Sequence, residues 1–367
     1  MPQPKRPPAA APDAHAPPPP RRARIDDIAY HAGVSAATVD RVLNQRAGVR
    51  LATAHRVLGV AGALGYLPPA DLYASLKPAP MELAFVLPAG TNRYMRMLAD
   101  CIEFSQEQLA PFNVKCRCHT IEGFNPEALA RRLLQLGKRC DGIAFMALED
   151  PRVREAVHTL SAANVPVLTL ISDLSNSPRA AFVGMDNRAA GRTAGLLLGR
   201  FIAARSGASG RPGKIAMFAG SIAYRGHEER EMGFRHILTE SFPSLEVVGG
   251  LREGLDDADT NYAQARQLLR QHPDLLGIYN VGGASDGVAR ALKEADRDRR
   301  LSFIGHGLTP DTRALLIDGT MDAVINTFPQ TIVNHSVRIF SNLREGKGAL
   351  VGVEPVHISV VLRENLP

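Results

Sequence analysis

The side chains able to do covalent chemistry do not fall into a catalytic arrangement in this 367-residue sequence. No G-x-G-x-x-G follows a predicted strand, no Walker-type lysine closes a glycine-rich loop, and no G-x-S-x-G marks a nucleophile elbow. His227-Glu228 lacks the second histidine of H-E-x-x-H. Cys101, Cys116, Cys118 and Cys140 are too few for a disulfide scaffold and fit neither zinc-ribbon nor C-x-x-C spacing. The reading is therefore no catalytic residue, no metal and no cofactor. Binding chemistry is more visible. The net charge is +6, and residues 21–77 hold eight basic side chains against four acidic ones. With +1 from residues 1–20, five of the six surplus charges lie in the first fifth of the chain. Such a segment suits a polyanion, or is simply a solvated basic end.

The elements that must position these groups follow from the pattern of apolar residues. At 45% hydrophobic and 22% charged, the chain can bury a large core, and its length exceeds one typical domain. No apolar window reaches membrane-spanning length. Residues 1–20 hold nine of the 26 prolines, which predicts a disordered, partly polyproline tail over 1–23. The tail has no apolar h-region, so the cytoplasm and free thiols are expected. Residues 24–67 read as short helices. Ile28, Ala29 and Ala32 mark one face, Gly33 breaks the run, and Ser35 is a good N-cap for Ala36–Leu43. A third helix is predicted over Thr53–Leu64, stopped by Gly65.

Beyond a linker over 68–80, residues 81–363 alternate short apolar runs with amphipathic helices. Strands are predicted at Leu83–Leu87, Val114–His119, Gly142–Met146, Val167–Ile171, Ala181–Gly184, Ile215–Ala219, Leu245–Gly249, Gly277–Val281, Ser302–Gly305 and Ala323–Asn326. Helices include Pro126–Leu136, Arg152–Ala163, Arg188–Ala204 and Ala263–Gln271. This is the signature of doubly wound parallel α/β sheets, and ten strands divide better between two similar lobes than within one sheet. Ligands of such sheets bind beyond the carboxyl ends of strands. Gly282-Gly283 reads as a loop permitting close backbone approach.

Arg24-Ile25-Asp26-Asp27-Ile28-Ala29 through Asn44 reads as a helix, a tight turn at Gly33-Val34 and a second helix, which is a helix-turn-helix. It resembles the headpiece of the LacI/GalR family of bacterial repressors. The matching elements are Asp27-Ile28-Ala29, Ala32-Gly33-Val34-Ser35, Thr38-Val39, Arg41-Val42-Leu43-Asn44 and Leu64-Gly65-Tyr66. The resemblance implies that Ala36 and Ala37 meet base edges, where an alanine offers only apolar contact such as to a thymine methyl. It implies that Arg41 is bidentate to a guanine, and that Arg24 and Ile25 join the DNA-facing set. Ser35, Thr38, Asn44, Arg50 and Thr53 match phosphate-positioning residues, with Asn44 alternatively a helix cap. Asp40 departs from the usual serine: it accepts from a cytosine amine, or is held by Arg41 or solvent. In the linker, Pro69 replaces the family's asparagine. Leu76 is the candidate minor-groove wedge, with Leu72 the runner-up and packing on the core the alternative.

The core resembles the family's periplasmic sugar-binding-protein-like core through Val183-Gly184-Met185-Asp186-Asn187, Ala190-Gly191-Arg192, Ile278-Tyr279-Asn280, Ile304-Gly305-His306 and the run from Asp318 to Ile325. It implies an effector between the lobes, held by Asn92, Tyr94, Asp173, Asn280, His306 and Glu228. His227-Glu228-Glu229-Arg230 reads alternatively as an exposed charge face, and His306 as a structural histidine. Gly307 stands where the family often has a carboxylate. The expectation is a cytoplasmic, homodimeric transcription regulator, a repressor as the resemblance implies, that binds double-stranded operator DNA and answers to a small effector, a sugar or polyol. The competing expectations are a solute-binding protein without a DNA role and an α/β sugar-modifying enzyme.

Overall fold

Three helices pack around a small apolar centre in the first of two compact units, Met1–Ala79 and Pro80–Pro367, into which the chain divides. The computed structural model describes residues 23–44, 46, 48–67, 80–109, 113–206 and 213–367. The proline-rich tail and the linker with Leu72 and Leu76 lie outside them. Helix α1 (Ile25–Ala32) begins with Asp26 and Asp27, whose charge suits a helix N-terminus. The Arg24 amide donates to the Asp27 carboxylate at 2.7 Å. Gly33, at φ +63°, ends the helix in the left-handed conformation that glycine adopts without a Cβ penalty. Helix α2 (Ala36–Leu43) is capped by the Ser35 hydroxyl, which accepts from the Thr38 amide at 3.2 Å. Helix α3 (Leu51–Ala63) begins two residues before the expected start. Ile28, Val39, Val57 and Ala61 are fully buried at the common centre.

The second unit is built on two sheets. Strands β1 (Met81–Ala89), β2 (Val114–Glu122), β3 (Gly142–Phe145), β4 (Val167–Leu170) and β5 (Ala181–Val183) form a parallel sheet in the order β2-β1-β3-β4-β5. Helices α4 (Arg93–Leu109), α5 (Pro126–Leu136) and α6 (Pro151–Ala162) connect them. Strands β3 and β4 are buried at every position, which is why they read as unbroken apolar runs. After helix α7 (Asn187–Ser206) come β6 (Gly213–Ala219), β7 (Leu245–Glu253), β8 (Leu275–Asn280), β9 (Ser302–His306), β10 (Ala323–Asn326) and β11 (Ser359–Val361). They form the second sheet in the order β11-β10-β9-β8-β6-β7, parallel except for β11. Helices α8 (Arg225–Ser241), α9 (Ala258–Gln271), α10 (Ser285–Glu294) and α11 (Pro310–Ile317) complete this lobe.

All ten expected strands are present, and the antiparallel edge strand β11 was not anticipated, since three residues carry too little pattern. The chain also crosses between lobes more often than the sequence indicates. Helix α12 (Pro329–Arg344) leaves β10 and returns to the first lobe, where Ile332, Val333, Ile339 and Phe340 enter its core. The chain then comes back to form β11. Met185 and Val356, on two of the three crossing segments, bridge in parallel.

This topology fixes where a ligand can sit. In each sheet the connections diverge at one point, between β1 and β3 in the first and between β6 and β8 in the second. Loops leaving the carboxyl ends of such diverging strands open a crevice. The two lobes turn these ends toward each other, so the residues after β1, β3, β6 and β8 share one cleft.

Candidate nucleic-acid interface and ligand cleft

Helix α2 presents Ala37, Asp40, Arg41 and Asn44 along one side, at the i, i+3, i+4 and i+7 spacing of a single helix face. Val39 and Val42 point the other way, into the core. Ala37, Arg41 and Asn44 are exposed, while Ala36, Thr38 and Asp40 are half-buried. Among the described residues, nothing within the molecule engages the Arg41 guanidinium. Asp40 is engaged, but not by Arg41: its carboxylate accepts from Asn44 Nδ2 at 2.7 Å and pairs with Arg46 at 3.1 Å. That corrects the expected partner, because Arg46 reaches back from beyond the helix end. Asn44 takes the capping place at the end of α2, its Nδ2 donating also to the Asp40 carbonyl at 3.0 Å. Ser35 and Thr38 hydroxyls lie 2.9 Å apart at the start of the helix. Arg24 and Arg50 are exposed just before α1 and α3, Thr53 is half-buried in the first turn of α3, and Ile25 packs against the core.

The cleft of the second unit holds about 590 Å³ of open volume. Its walls come from strand ends: Asn92 and Tyr94 after β1, Met146 after β3, Ile171 after β4, Met185 after β5, and Gly282-Gly283 after β8. His306, Ile325 and Thr327 close the side formed by β9 and β10. Ile171 has φ +63°, a left-handed conformation that a β-branched residue adopts only under strain, with a typical cost of about 1–3 kcal/mol. Its carbonyl is held by Asn187 Nδ2 at 3.0 Å. Gly282 is required by close approach: a Cβ there would lie 2.5 Å from the Gly220 amide nitrogen, as the sequence reading of this loop expected.

Helix α8 supplies the polar centre. Its buried face runs Gly226, His227, Arg230, Gly233, Phe234, Ile237 and Leu238, so a helical stripe carries His227 and Arg230 inward. Arg230 is only 6% exposed. Its Nε donates to Asn187 Oδ1 at 2.8 Å and its Nη1 to the Val281 carbonyl at 2.7 Å. Through Asn187 this joins the end of β4, the start of α7 and the end of β8. Burial pulls the Arg230 guanidinium below its ordinary range, opposed by Tyr279, Tyr94, Asp256 and Glu229. His227 Nδ1 sits 2.9 Å from the Ser221 carbonyl, and burial holds the ring neutral, its pKa brought down to about 4. His306 Nε2 shares a 2.8 Å hydrogen bond with the Tyr279 hydroxyl, and burial keeps this ring neutral too. Its Nδ1 and the Thr327 hydroxyl are buried without a hydrogen-bond partner among the described residues.

A clasp joins the two lobes beside the cavity. The Asp256 carboxylate accepts from Asn92 Nδ2 at 2.9 Å and from the Gly283 amide at 2.7 Å, and the Thr91 hydroxyl donates to the Asp256 carbonyl at 2.6 Å. Asp256 itself has φ +56°. Arg93 pairs with Asp311 across the same mouth. On the far side the Glu149 amide donates to the Ala223 carbonyl at 2.9 Å and the Gly226 amide to Ser172 Oγ at 3.2 Å.

Of the six expected effector residues, Asn92, Tyr94 and His306 line the cavity. Glu228 does not: it is exposed on the outer side of α8, and the inward positions belong to its neighbours His227 and Arg230. Asp173 is turned away as well, accepting from Thr169 Oγ1 and the Leu174 amide and pairing with Arg179. Asn280 is fully buried behind the wall, donating to the Gly283 carbonyl at 2.8 Å and to Ser285 Oγ at 2.9 Å, so it shapes the glycine loop. The sequence reading missed Arg230, although the spacing from Gly226 to Leu238 carries the signal for its inward face.

Among the described residues no helix is long and apolar enough to cross a membrane, and no cluster of three or more His, Cys, Asp or Glu is placed to hold a metal. Residues 24–69 match the family model for bacterial regulatory proteins of the lacI family, and residues 83–348 match that for the periplasmic binding protein domain. An uncharacterized HTH-type transcriptional regulator of Streptomyces limosus is 30% identical over 288 residues, 76% of this chain and 75% of that protein. The HTH-type transcriptional regulator DegA of Bacillus subtilis is 25% identical over 320 residues, 86% and 87% of the two chains. The glucose-galactose binding protein GanP of Geobacillus stearothermophilus shares the fold, with a TM-score of 0.67 at 24% identity over 79% of this chain and all of that one. A capped recognition helix and a two-lobed cleft, each matched in its own segment, place this chain in the LacI family of DNA-binding transcription regulators.

Proposed function

We propose that this regulator binds a pseudo-palindromic operator as a cytoplasmic homodimer and that a small hydroxylated ligand, held between the lobes, sets its operator affinity. Two copies of the headpiece would read two half-sites, with Arg41 hydrogen-bonding a guanine and Ala36 and Ala37 making apolar contact with base edges. The chain acts by binding, not by turnover. The observation that carries the reading is the Arg230–Asn187–Ile171 chain of hydrogen bonds in the cleft, because it ties a ligand-facing cation to residues of both lobes and a crossing segment. A ligand that prefers one lobe arrangement changes the population of that arrangement in proportion to its differential affinity, and only then can it influence DNA binding. The sugar-binding neighbour GanP supports a sugar-like ligand class.

The test is retardation of DNA upstream of the chain's own and neighbouring operons, with and without candidate ligands. Arg41→Ala should weaken sequence-specific retardation by about 10- to 100-fold, as expected for one bidentate base contact, with cleft-ligand affinity unchanged. Turnover of the ligand with no specific DNA shift by the intact protein would overturn the reading.

A further inference from the structure

A concentration of positive charge lies on the first lobe, at the opposite end of its sheet from the cleft. An open groove of about 1350 Å³ runs there between β2, the amino end of β1 and the segment that leads from α5 to β3. Arg117, Arg132, Lys138 and Arg139 line it, and Lys115 stands two residues from Arg117 on the same face of β2. Glu82 is the one carboxylate of the lining, and it serves two cations, Lys115 at 3.4 Å and Arg117 at 3.6 Å. The neighbouring Asp141 carboxylate accepts from the Glu82 amide at 2.8 Å. Arg132 donates to a neutral partner, His119 Nδ1, at 3.0 Å. Burial, with repulsion from Arg132 and Arg117, holds that ring below its ordinary pKa. Lys138 and Arg139 are exposed, and among the described residues nothing pairs with either side chain. Five lysines and arginines against two carboxylates leave three positive charges in surplus.

We propose that this groove is a second DNA contact, which holds the phosphate backbone of a duplex without reading its sequence. Gathered like charges repel one another and gain from a partner that brings negative charge at regular intervals. Exposed lysine and arginine heads suit phosphates, which add affinity for any sequence alike. Leu83 and Leu136, the leucines of the lining, are buried, so the groove offers no apolar anchor to a protein partner. The chain from the headpiece enters the larger unit at Pro80 and Met81, immediately before Glu82. Sequence connectivity therefore tethers DNA captured by the headpiece to this end of the lobe, which raises its effective concentration at the groove.

The experiment is fluorescence anisotropy of the full-length protein with a long random-sequence duplex and with operator DNA identified by retardation, titrated between about 50 and 300 mM salt. Lys138→Gln/Arg139→Gln should make the slope of log affinity against log salt shallower by roughly 2, at about 0.9 for each phosphate contact, and weaken both DNAs by the same factor. Lys138→Gln alone should give about half that change in slope. A melting transition unchanged from that of the unaltered protein shows each variant to be folded. Arg299→Gln/Arg300→Gln, which removes two exposed cations from the second lobe, should leave the slope as it was. An unaltered slope in folded Lys138→Gln/Arg139→Gln, an equal loss in the second-lobe variant, or a loss confined to operator DNA overturns the proposal. Calorimetric titration with tripolyphosphate tests the other occupant: saturable binding that Lys138→Gln/Arg139→Gln removes, with the DNA slope unaffected, makes the groove a small-anion site and overturns the DNA contact.

Discussion

Asp40 shows how far a single position can be read from the sequence. Its type and place on α2 were legible, and so was the need for a partner. The partner was not, because Arg46 lies six residues on, past the helix end, where no periodicity places it. Glu228 and Arg230 make the same point in the cleft. Two residues apart on a helix, they face opposite ways, so a match to within two positions selects the wrong charge. His227, on that inward face, yields a pH prediction. Burial lowers its pKa from 6.5 to about 4, against attraction from Asp256 and Glu253 and with repulsion from Arg230. Between those values the unfolded chain binds more protons than the folded one, so stability declines as pH falls from about 6.5 toward 4 and gains nothing above 6.5. Thermal unfolding followed by circular dichroism should show this decline in the cooperative transition of the larger unit, and His227→Gln should make it shallower, with the buried neutral His306 contributing the rest.

Helix pairing explains glycines that pattern alone leaves unexplained. Where α7 crosses α8, a Cβ on Gly191 would lie 2.0 Å from the Arg230 carbonyl oxygen, and one on Gly233 would lie 2.1 Å from that of Arg188. Backbone meets backbone there, so no side chain can yield. Gly191→Ala should therefore destabilise the larger unit by at least the roughly 1–3 kcal/mol usual for overpacking, and weaken ligand binding by displacing Arg230. Gly59, exposed inside α3, has nothing within 4 Å of such a Cβ. Gly59→Ala should stabilise the headpiece by up to about 1 kcal/mol through helix propensity. Separate melting transitions for the two units would report both effects. The strands were legible because buried parallel strands are continuous apolar runs. The return of α12 to the first lobe was not, since an amphipathic helix shows that it has an apolar face and not which sheet receives it.

For the whole molecule, the division of charge in the sequence corresponds to a division of labour. The basic excess belongs to the N-terminal portion that contains the exposed face of α2, and the nearly neutral remainder forms the two-lobed binder. If the cleft ligand controls operator affinity, the coupling must be reciprocal. The factor by which a saturating cleft ligand changes the operator dissociation constant should equal the factor by which saturating operator changes that of the ligand. Titrations in both directions should agree within error; a one-way effect would show that the ligand acts elsewhere than through a shared equilibrium of the protein.

The clasp around Asp256 has a consequence for time as well as for affinity. With Asn92, Gly283 and Thr91 all bonded to that one residue, and Arg93 closed on Asp311, the cavity mouth is fastened from both lobes. Any separation of the lobes on this side must first break these bonds. If ligand exchange needs that separation, arrival and escape are governed by how often the lobes open, and at high ligand concentration stopped-flow occupancy rates should reach a ceiling set by the protein. The regulator would respond to a sustained supply of its ligand and pass over brief fluctuations.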